Sequence, residues 1–275
     1  MPTDPSSAPD LPPLREVIAS HGLNTKKALG QHFLLDSNLT DRIARNAKVE
    51  REIVIEVGPG PGGLTRSLLA QNVAQLIAIE KDQDCVAALG SLKTLYKNRL
   101  QIIEADALAL NLDALSSKPV CIVSNLPYNV STPLLIHWLR QVSHVSSMTL
   151  MFQKEVADRL TATPSTKAYG RLSVITQWLC ETRHLFNVDK RAFVPPPKVL
   201  SSVISLRVRP EPLAPADWHA LEEITAAAFN QRRKMLRSSL KAYQLDFTAL
   251  NIDPELRAEN LSIEQFCLMA RAISP

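Results

Sequence analysis

Short apolar runs alternate with amphipathic stretches along most of the chain. The runs Ile53–Val57, Leu76–Ile79, Leu100–Glu104, Val120–Ser124 and Met148–Phe152 have the length and apolar content that predict strands. Between them lie helix-like segments near 37–47, 63–71, 83–95 and 131–142. Strands joined by helices of this length form βαβ units, and near-continuous apolar runs belong to a parallel sheet covered on both faces. A later pair of runs, around 184–189 and 201–208, has no helix between its members, which predicts a closing antiparallel strand. The expected fold is α/β, with a mostly parallel Rossmann-like sheet and one antiparallel strand.

Beyond Pro210 the pattern changes. The stretch EPLAPADW reads as a proline-rich linker, and Trp218, Leu221, Ile224 and Ala228 then recur on one helical face, with Asp217 placed to cap it. A small all-helical domain is expected at 211–275, behind a larger domain at 14–210. Residues 1–13 carry five prolines and read as a disordered tail. No internal repeat is evident.

At 275 residues the chain is long enough for one large core and a smaller appendage. Its net charge of +4 leans mildly toward an anionic partner and does not separate an RNA binder from an ordinary enzyme. The distribution is more informative: segment 231–241 reads QRRKMLRSSLK. Cys85, Cys121, Cys180 and Cys267 lie far apart in apolar surroundings, which points to buried reduced thiols and to neither zinc nor a disulfide framework. No metal is expected. The N-terminal stretch has no apolar core of signal-peptide type, and no run of about eighteen apolar residues occurs, so a cytoplasmic protein without a membrane span is expected.

Glu56-Val57-Gly58-Pro59-Gly60-Pro61-Gly62-Gly63 follows the first long strand and opens a helix. Glycines there let the backbone turn sharply and approach a ligand without a Cβ in the way. A tight turn with no ligand would look the same locally, but the series of strand-and-helix units behind it makes that the minority reading. Gly58, Gly60 and Gly63 satisfy G-x-G-x-x-G, and Glu80 ends the next strand about twenty residues on, where it can hold a ribose diol. That much suits a dinucleotide or S-adenosylmethionine. Two prolines inside the loop remove N–H donors that a pyrophosphate would need. Asp106, after the following strand, could accept from an adenine amine or simply cap a helix. The ordered set Glu56, Gly58, Gly60, Glu80 and Asp106 favours the methyl donor.

After the fourth strand comes Asn125-Leu126-Pro127-Tyr128, followed by a helix from about Ser131. The lone pair of an adenine amine is delocalised into its ring, so methylating it requires two acceptors that hold the N–H groups while the nitrogen pyramidalises. The Asn125 side-chain oxygen can be one, and a backbone carbonyl of Leu126 or Pro127 the other. Tyr128 offers a flat face for a flipped base. Taken alone, the tetrapeptide could equally be a capped turn with a core tyrosine; behind a glycine loop that becomes the weaker reading.

Lys26-Lys27-Ala28-Leu29-Gly30-Gln31-His32-Phe33-Leu34, the loop from Glu56, Glu80, Asp106 and Asn125–Tyr128 together resemble the ribosomal RNA adenine N6,N6-dimethyltransferase family, in its small-subunit branch. Tyr169–Ser173, Phe193–Val199 and Phe229–Arg237 match further blocks, so the resemblance covers nearly everything after the tail. It implies a class I methyltransferase sheet and S-adenosylmethionine as cofactor. By resemblance, His32 and Leu34 touch that cofactor beside Gly58 and Gly60, Glu80 holds its ribose, Asp106 its adenine, and Asn125 its reacting end. Phe193 resembles the aromatic that sandwiches the target adenine opposite Tyr128. His32 stands where many members have Asn, and both can donate a hydrogen bond. The C-terminal block resembles a basic helix, in which Met235, Ser238 and Ser239 are small departures. On a helix, Arg233, Arg237 and Lys241 would form one stripe. With Lys26, Lys27, Lys190, Arg191, Lys198, Arg232 and Lys234 they would neutralise RNA phosphates, although a solvated face is the default for such a charge run.

The resemblance implies dimethylation of two adjacent adenines in the 3′-terminal hairpin loop of small-subunit (16S) rRNA, in an assembling 30S particle, by a monomer and coupled to subunit maturation. Competing readings are a resistance-type methyltransferase of large-subunit rRNA, an assembly factor acting mainly by binding, and, remotely, a dehydrogenase using the same glycine loop.

Overall fold

A computed structural model describes residues 11–24 and 31–274. Residues 1–10 of the expected tail, and with them Lys26 and Lys27, lie outside the described residues. The chain begins with α1 (Leu14–Ser20), the two-residue β1 (Phe33–Leu34) and α2 (Ser37–Ala47). It continues through β2 (Ile53–Val57), α3 (Gly63–Ala70), β3 (Gln75–Glu80), α4 (Gln83–Ala88), α5 (Gly90–Leu95) and β4 (Leu100–Glu104). Next come β5 (Val120–Asn125), α6 (Ser131–Leu139), β6 (Val145–Gln153), α7 (Lys154–Leu160), α8 (Arg171–Leu179) and β7 (Cys180–Val188). The last elements are β8 (Phe193–Val194), β9 (Ser201–Val208), α9 (Trp218–Asn230), α10 (Leu236–Ser239) and α11 (Ile263–Ile273).

Seven strands form one sheet in the order β4-β3-β2-β5-β6-β9-β7, mostly parallel with one antiparallel strand. The pairs β2–β3, β2–β5, β3–β4 and β5–β6 are all parallel. The inner strands are covered on both faces: Val54, Ile55, Leu76, Val120 and Ile122 have no exposed surface. This burial explains why the strands read as unbroken apolar runs. The order reverses between β2 and β5, and such a switch point opens a crevice at the carboxyl ends of the strands.

The described residues fall into two compact units. One comprises those up to Lys154 together with Leu185–Ser205; the other comprises Glu155–His184 together with those from Leu206 onward. Each is thus built from two stretches of chain. In the first, α2 starts at Asp36, whose carboxylate accepts from the N–H groups of Asn38 and Leu39. It buries Thr40, Ile43, Ala44 and Ala47, the stripe that a 3.6-residue period places on one face. Leu11 packs against this unit's core and the Pro12 carbonyl accepts from Arg66, so ordered packing begins just before α1. In the second unit, Asp217 caps α9 through the Ala220 N–H, and Leu221, Ile224 and Ala228 are fully buried beneath it. Phe229 stacks on Phe266 with ring centroids 5.4 Å apart.

Three features differ from the sequence expectation. The helix foreseen over 83–95 is two helices meeting at Leu89–Gly90, where glycine weakens the helical backbone. Strand β7 begins at Cys180, earlier than foreseen. The basic stretch 231–241 is not one helix: α9 ends at Asn230, and Met235 bridges to Arg257. The N–H groups of Leu236 and Arg237 donate to the carbonyls of Leu256 and Pro254, so they are lost to a helical ladder. Arg233, Arg237 and Lys241 therefore do not form the expected stripe. All four cysteines are buried and none is in a disulfide, and among the described residues no helix is long and apolar enough to cross a membrane.

Leu76, on the inner strand β3, has no exposed surface, whereas Leu95 is 53% exposed. Leu76→Ala should destabilise the sheet by about 2–5 kcal/mol and Leu95→Ala by less than about 0.5 kcal/mol, read from urea unfolding. Equal losses would contradict the packing described.

Candidate functional site

The reversal in strand order positions two backbone turns side by side. The first follows β2. There Gly60 adopts φ +54°, which a side chain would strain, and its N–H donates to Glu80 Oε2 at 3.1 Å. At Gly63 a Cβ would lie 2.6 Å from the Leu34 carbonyl oxygen, so only glycine lets β1 approach the start of α3. The second turn is Asn125–Tyr128, at the end of β5. Ser124 Oγ donates to the Val57 carbonyl and ties the two strand ends together. A Cβ at Gly58 would stand 3.5 Å from the Pro127 ring, the measure of how closely the turns meet.

Between them opens a cleft of about 1060 Å³, open to solvent. It is lined by His32, Leu34, Gly58, Gly60, Glu80, Asp106 and Asn125–Tyr128, so all but one of the residues expected at the catalytic and cofactor sites come together there. The exception is Phe193. Its ring is 1% exposed, packed in the core of this unit, and does not border the cleft.

Each polar group has a definite setting. The Glu80 carboxylate accepts from the N–H groups of Gly60, Lys81 and Asp82, and so holds the glycine loop against the end of β3. Burial raises its pKa, and these hydrogen bonds partly offset the rise. Glu56 is fully buried, and its Oε2 has no hydrogen-bond partner among the described residues. Burial pushes this carboxyl up to about 8, with the nearby Glu80 adding to the effect. Asp106 acts as a cap: Oδ1 accepts from the Leu108 N–H at the start of a 3-10 turn, while Oδ2 lies 3.5 Å from Lys81 Nζ at the cleft edge.

Asn125 Nδ2 donates to the main-chain carbonyl of His32 at 3.3 Å. That contact orients the amide, with Oδ1 as its remaining acceptor. Tyr128 Oη is hydrogen-bonded to Ser201 Oγ, which pins its ring; burial keeps the phenol protonated. His32 Nδ1 lies 2.7 Å from the Pro195 carbonyl. Ser201 and Pro195 carried no sequence signal for these contacts, because each acts across a long separation along the chain. Gln31, whose amide donates to Asp82, borders the cleft as well and was foreseen only as part of a motif.

The residues present fit S-adenosylmethionine. The unpartnered Glu56 oxygen suits a cationic or hydroxyl-bearing ligand, the Glu80 carboxylate has lone-pair capacity beyond its three bonds, and glycine backbone forms one wall.

Of the expected RNA-contacting residues, Lys198, Arg233, Lys234, Arg237 and Lys241 are exposed. Arg237 pairs with Glu255 at 3.3 Å. Arg232 is half-buried and engaged: Nε meets Glu259 at 2.7 Å and Nη2 donates to the Thr166 carbonyl.

The sequence model of ribosomal RNA adenine dimethylases matches residues 22–274. A protein of Rhodospirillum rubrum named ribosomal RNA small subunit methyltransferase A is 55% identical over 267 residues, covering 96% of this chain and 93% of that one. Its namesake in Paramagnetospirillum magneticum is 56% identical over 270 residues, with coverage of 96% and 95%. Among solved structures, a dimethyladenosine transferase from Plasmodium falciparum superposes with a TM-score of 0.74 at 25% identity, over 86% of this chain and 96% of that one. The 23S rRNA methyltransferase ErmE gives 0.66 at 26% identity, over 88% and 99%.

Glu56 supplies a pH test. Its carboxyl binds a proton more tightly folded than unfolded, so its contribution to stability is full below about 4.5 and lost as pH rises through about 8. Melting temperature should therefore fall more steeply for the wild type than for Glu56→Gln between about pH 5 and pH 9. Parallel curves would count against the burial of this carboxyl.

Proposed function

The chain belongs to the ribosomal RNA adenine dimethylase family and is an S-adenosylmethionine-dependent rRNA adenine dimethyltransferase, and from that premise we propose that it dimethylates the N6 amines of two adjacent adenines in the 3′-terminal hairpin loop of small-subunit (16S) rRNA. The substrate is an assembling 30S particle, the enzyme acts as a cytoplasmic monomer, and the modification is coupled to maturation of that subunit. The names of the bacterial relatives support the choice of subunit. Unstacked bases of an RNA loop are the accessible kind of target.

The observation that carries the mechanism is the fixed amide of Asn125. Because its Nδ2 is spent on the His32 carbonyl, its Oδ1 accepts one N–H of the adenine amine. The Pro127 carbonyl already accepts from the Val130 N–H at 3.1 Å, which favours the Leu126 carbonyl as the second acceptor. Two acceptors drawing on the amine restore its lone pair. Tyr128, pinned by Ser201, is the face on which the base stacks. Bound S-adenosylmethionine supplies an electrophilic methyl group on a sulfonium. His32, Leu34, Gly58, Gly60, Glu80 and Asp106 would hold it, with Glu80 on the ribose, Asp106 on the adenine and Asn125 at its reacting end. No strong base is needed, since an amine that has gained a methyl sheds its proton readily. Catalysis is proximity and electrostatic alignment.

In this reading, residues 14–210 are the methyltransferase domain and 211–275 an RNA-binding domain. Lys198, Arg233, Lys234, Arg237 and Lys241 are the candidate phosphate contacts, together with Lys26 and Lys27, while Arg232 serves its own unit through Glu259.

The test is a methylation time course on small subunits that lack the modification, with large-subunit rRNA as the comparison and methylated nucleosides read by mass spectrometry. Dimethyladenosine should form in the small subunit alone, and Asn125→Ala should slow the two additions unequally, by about 100-fold or more for the first. Label in the large subunit, or none in either, would sink the proposal. For the RNA surface, Arg233→Ala with Lys234→Ala should lower affinity and flatten its salt dependence at unchanged melting temperature. Arg232→Ala should instead lower the melting temperature. The reverse pattern would remove Arg233 and Lys234 from the interface.

A further inference from the structure

Gln31 and His32 are adjacent in the chain yet bonded to opposite flanks of β2. The Gln31 side-chain amide donates to Asp82 Oδ2 at 2.9 Å, just past the end of β3, while the His32 carbonyl accepts from Asn125 at the end of β5. Strands β3 and β5 lie on either side of β2, so this short segment crosses the carboxyl end of that strand. The next residues rest on the glycine loop: a Cβ at Gly60 would stand 3.3 Å from the Phe33 ring, and one at Gly63 2.6 Å from the Leu34 carbonyl oxygen. Strand β1 itself has two residues, paired with Val194 and Phe193, too short a ladder to place the residues before it.

Asp82 is built to be the fixed end of this arrangement. It is 4% exposed; its Oδ1 caps α4 through the Asp84 N–H, and its own N–H donates to Glu80 Oε1. Glu80 Oε2 in turn accepts from the Gly60 N–H. One series of contacts thus runs from the glycine loop through Glu80 and Asp82 to Gln31, and along the chain to His32 and Asn125.

We propose that Gln31 is a positioning residue for methyl transfer: tethered to Asp82, its amide holds the chain where the His32 carbonyl orients Asn125. The inference rests on the adenine-methylating reading above, in which Asn125 Oδ1 accepts from the amine, and deepens it. The bond from Asn125 is 3.3 Å long, so a small shift of the His32 backbone breaks it and frees the amide to rotate. Misplacing a reacting group by about 1 Å costs on the order of 100-fold in rate. Gln31 also borders the cleft, so loss of a direct contact with the cofactor is the alternative that the test separates.

The pair can be broken and rebuilt. Gln31→Leu removes the donor, and Gln31→Glu sets two carboxylates against each other. Gln31→Glu combined with Asp82→Asn restores the hydrogen bond with donor and acceptor exchanged, and Asp82→Asn keeps an oxygen for the cap of α4. Single-turnover rate and KM on unmethylated small subunits are measured for each, with calorimetric affinity for S-adenosylhomocysteine without RNA. Gln31→Leu is repeated in the Asn125→Ala background. The rate should fall about tenfold or more in both single variants and return to within about threefold of wild type in the exchanged pair, with KM and S-adenosylhomocysteine affinity within about threefold throughout. Beside Asn125→Ala, Gln31→Leu should cost no further rate, because the group it positions is gone. The proposal is overturned if Gln31→Leu keeps the wild-type rate, if S-adenosylhomocysteine affinity falls in step with the rate, if the exchanged pair restores nothing, or if the losses at Gln31 and Asn125 multiply. Should Gln31→Leu fail to fold, the comparison of Gln31→Glu with the exchanged pair decides in the same way. A wild-type enzyme that methylates no adenine is a different result, and removes the functional reading itself.

Discussion

Where β2 and β5 end, the two turns come to within van der Waals reach of each other at the base of the cleft. Gly58 faces the Pro127 ring, and Ser124 donates across to the Val57 carbonyl. The adjacency follows from strand order: β2 pairs with β3 on one side and β5 on the other, so a crevice opens where the chain changes direction of travel. The glycine loop, Glu80 and the Asn125 turn inherit their mutual distances from that pairing. A single register slip between β2 and β5 would turn Asn125 to the other face of the sheet and leave the loop facing nothing.

Around this junction, long-range hydrogen bonds convert backbone placement into side-chain geometry. Glu80 secures the glycine loop through three N–H groups. His32 orients Asn125 with its carbonyl and reaches Pro195 with its ring, and Ser201 holds Tyr128. The pairing of β1 with β8 makes the last two contacts coherent, since Phe33 and Leu34 run antiparallel to Val194 and Phe193. A segment near the start of the chain and one after β7 thereby flank the same turn. The turn after β5 is thus held by contacts from two stretches distant in sequence, one near the start of the chain and one after β7.

That division explains what could be read beforehand. The bounds of β2 were legible because a strand covered on both faces is almost continuously apolar, and those of β4 and β9 because enough of their positions are apolar to stand out between polar turns. The glycine loop and the acids after successive strands were legible because ligand geometry restricts the residue types at fixed offsets. Two-residue strands were not, because β1 and β8 owe their existence to each other across the chain. The stripe of Arg233, Arg237 and Lys241 failed for a related reason. Helical spacing was assumed, while the carbonyls of Pro254 and Leu256 take the N–H groups that a helix would use. Phe193 matched its motif in sequence, but its burial in the core follows from the pairing of β8 with β1.

Dimethylation places a further demand on this arrangement. The incoming amine has two N–H groups at the first addition and one at the second, so one of two acceptors must then face a methyl group. The Leu126 carbonyl belongs to a buried backbone turn wedged against the glycine loop and has little freedom to move. Asn125 is half-buried, and its amide is held by a single 3.3 Å hydrogen bond to His32, which is long for such a contact. Side-chain rotation at that amide costs far less than deforming the turn. In the proposed mechanism Asn125 is the acceptor that yields at the second addition, and the hydrogen bond from its amide to His32 sets how readily it does so.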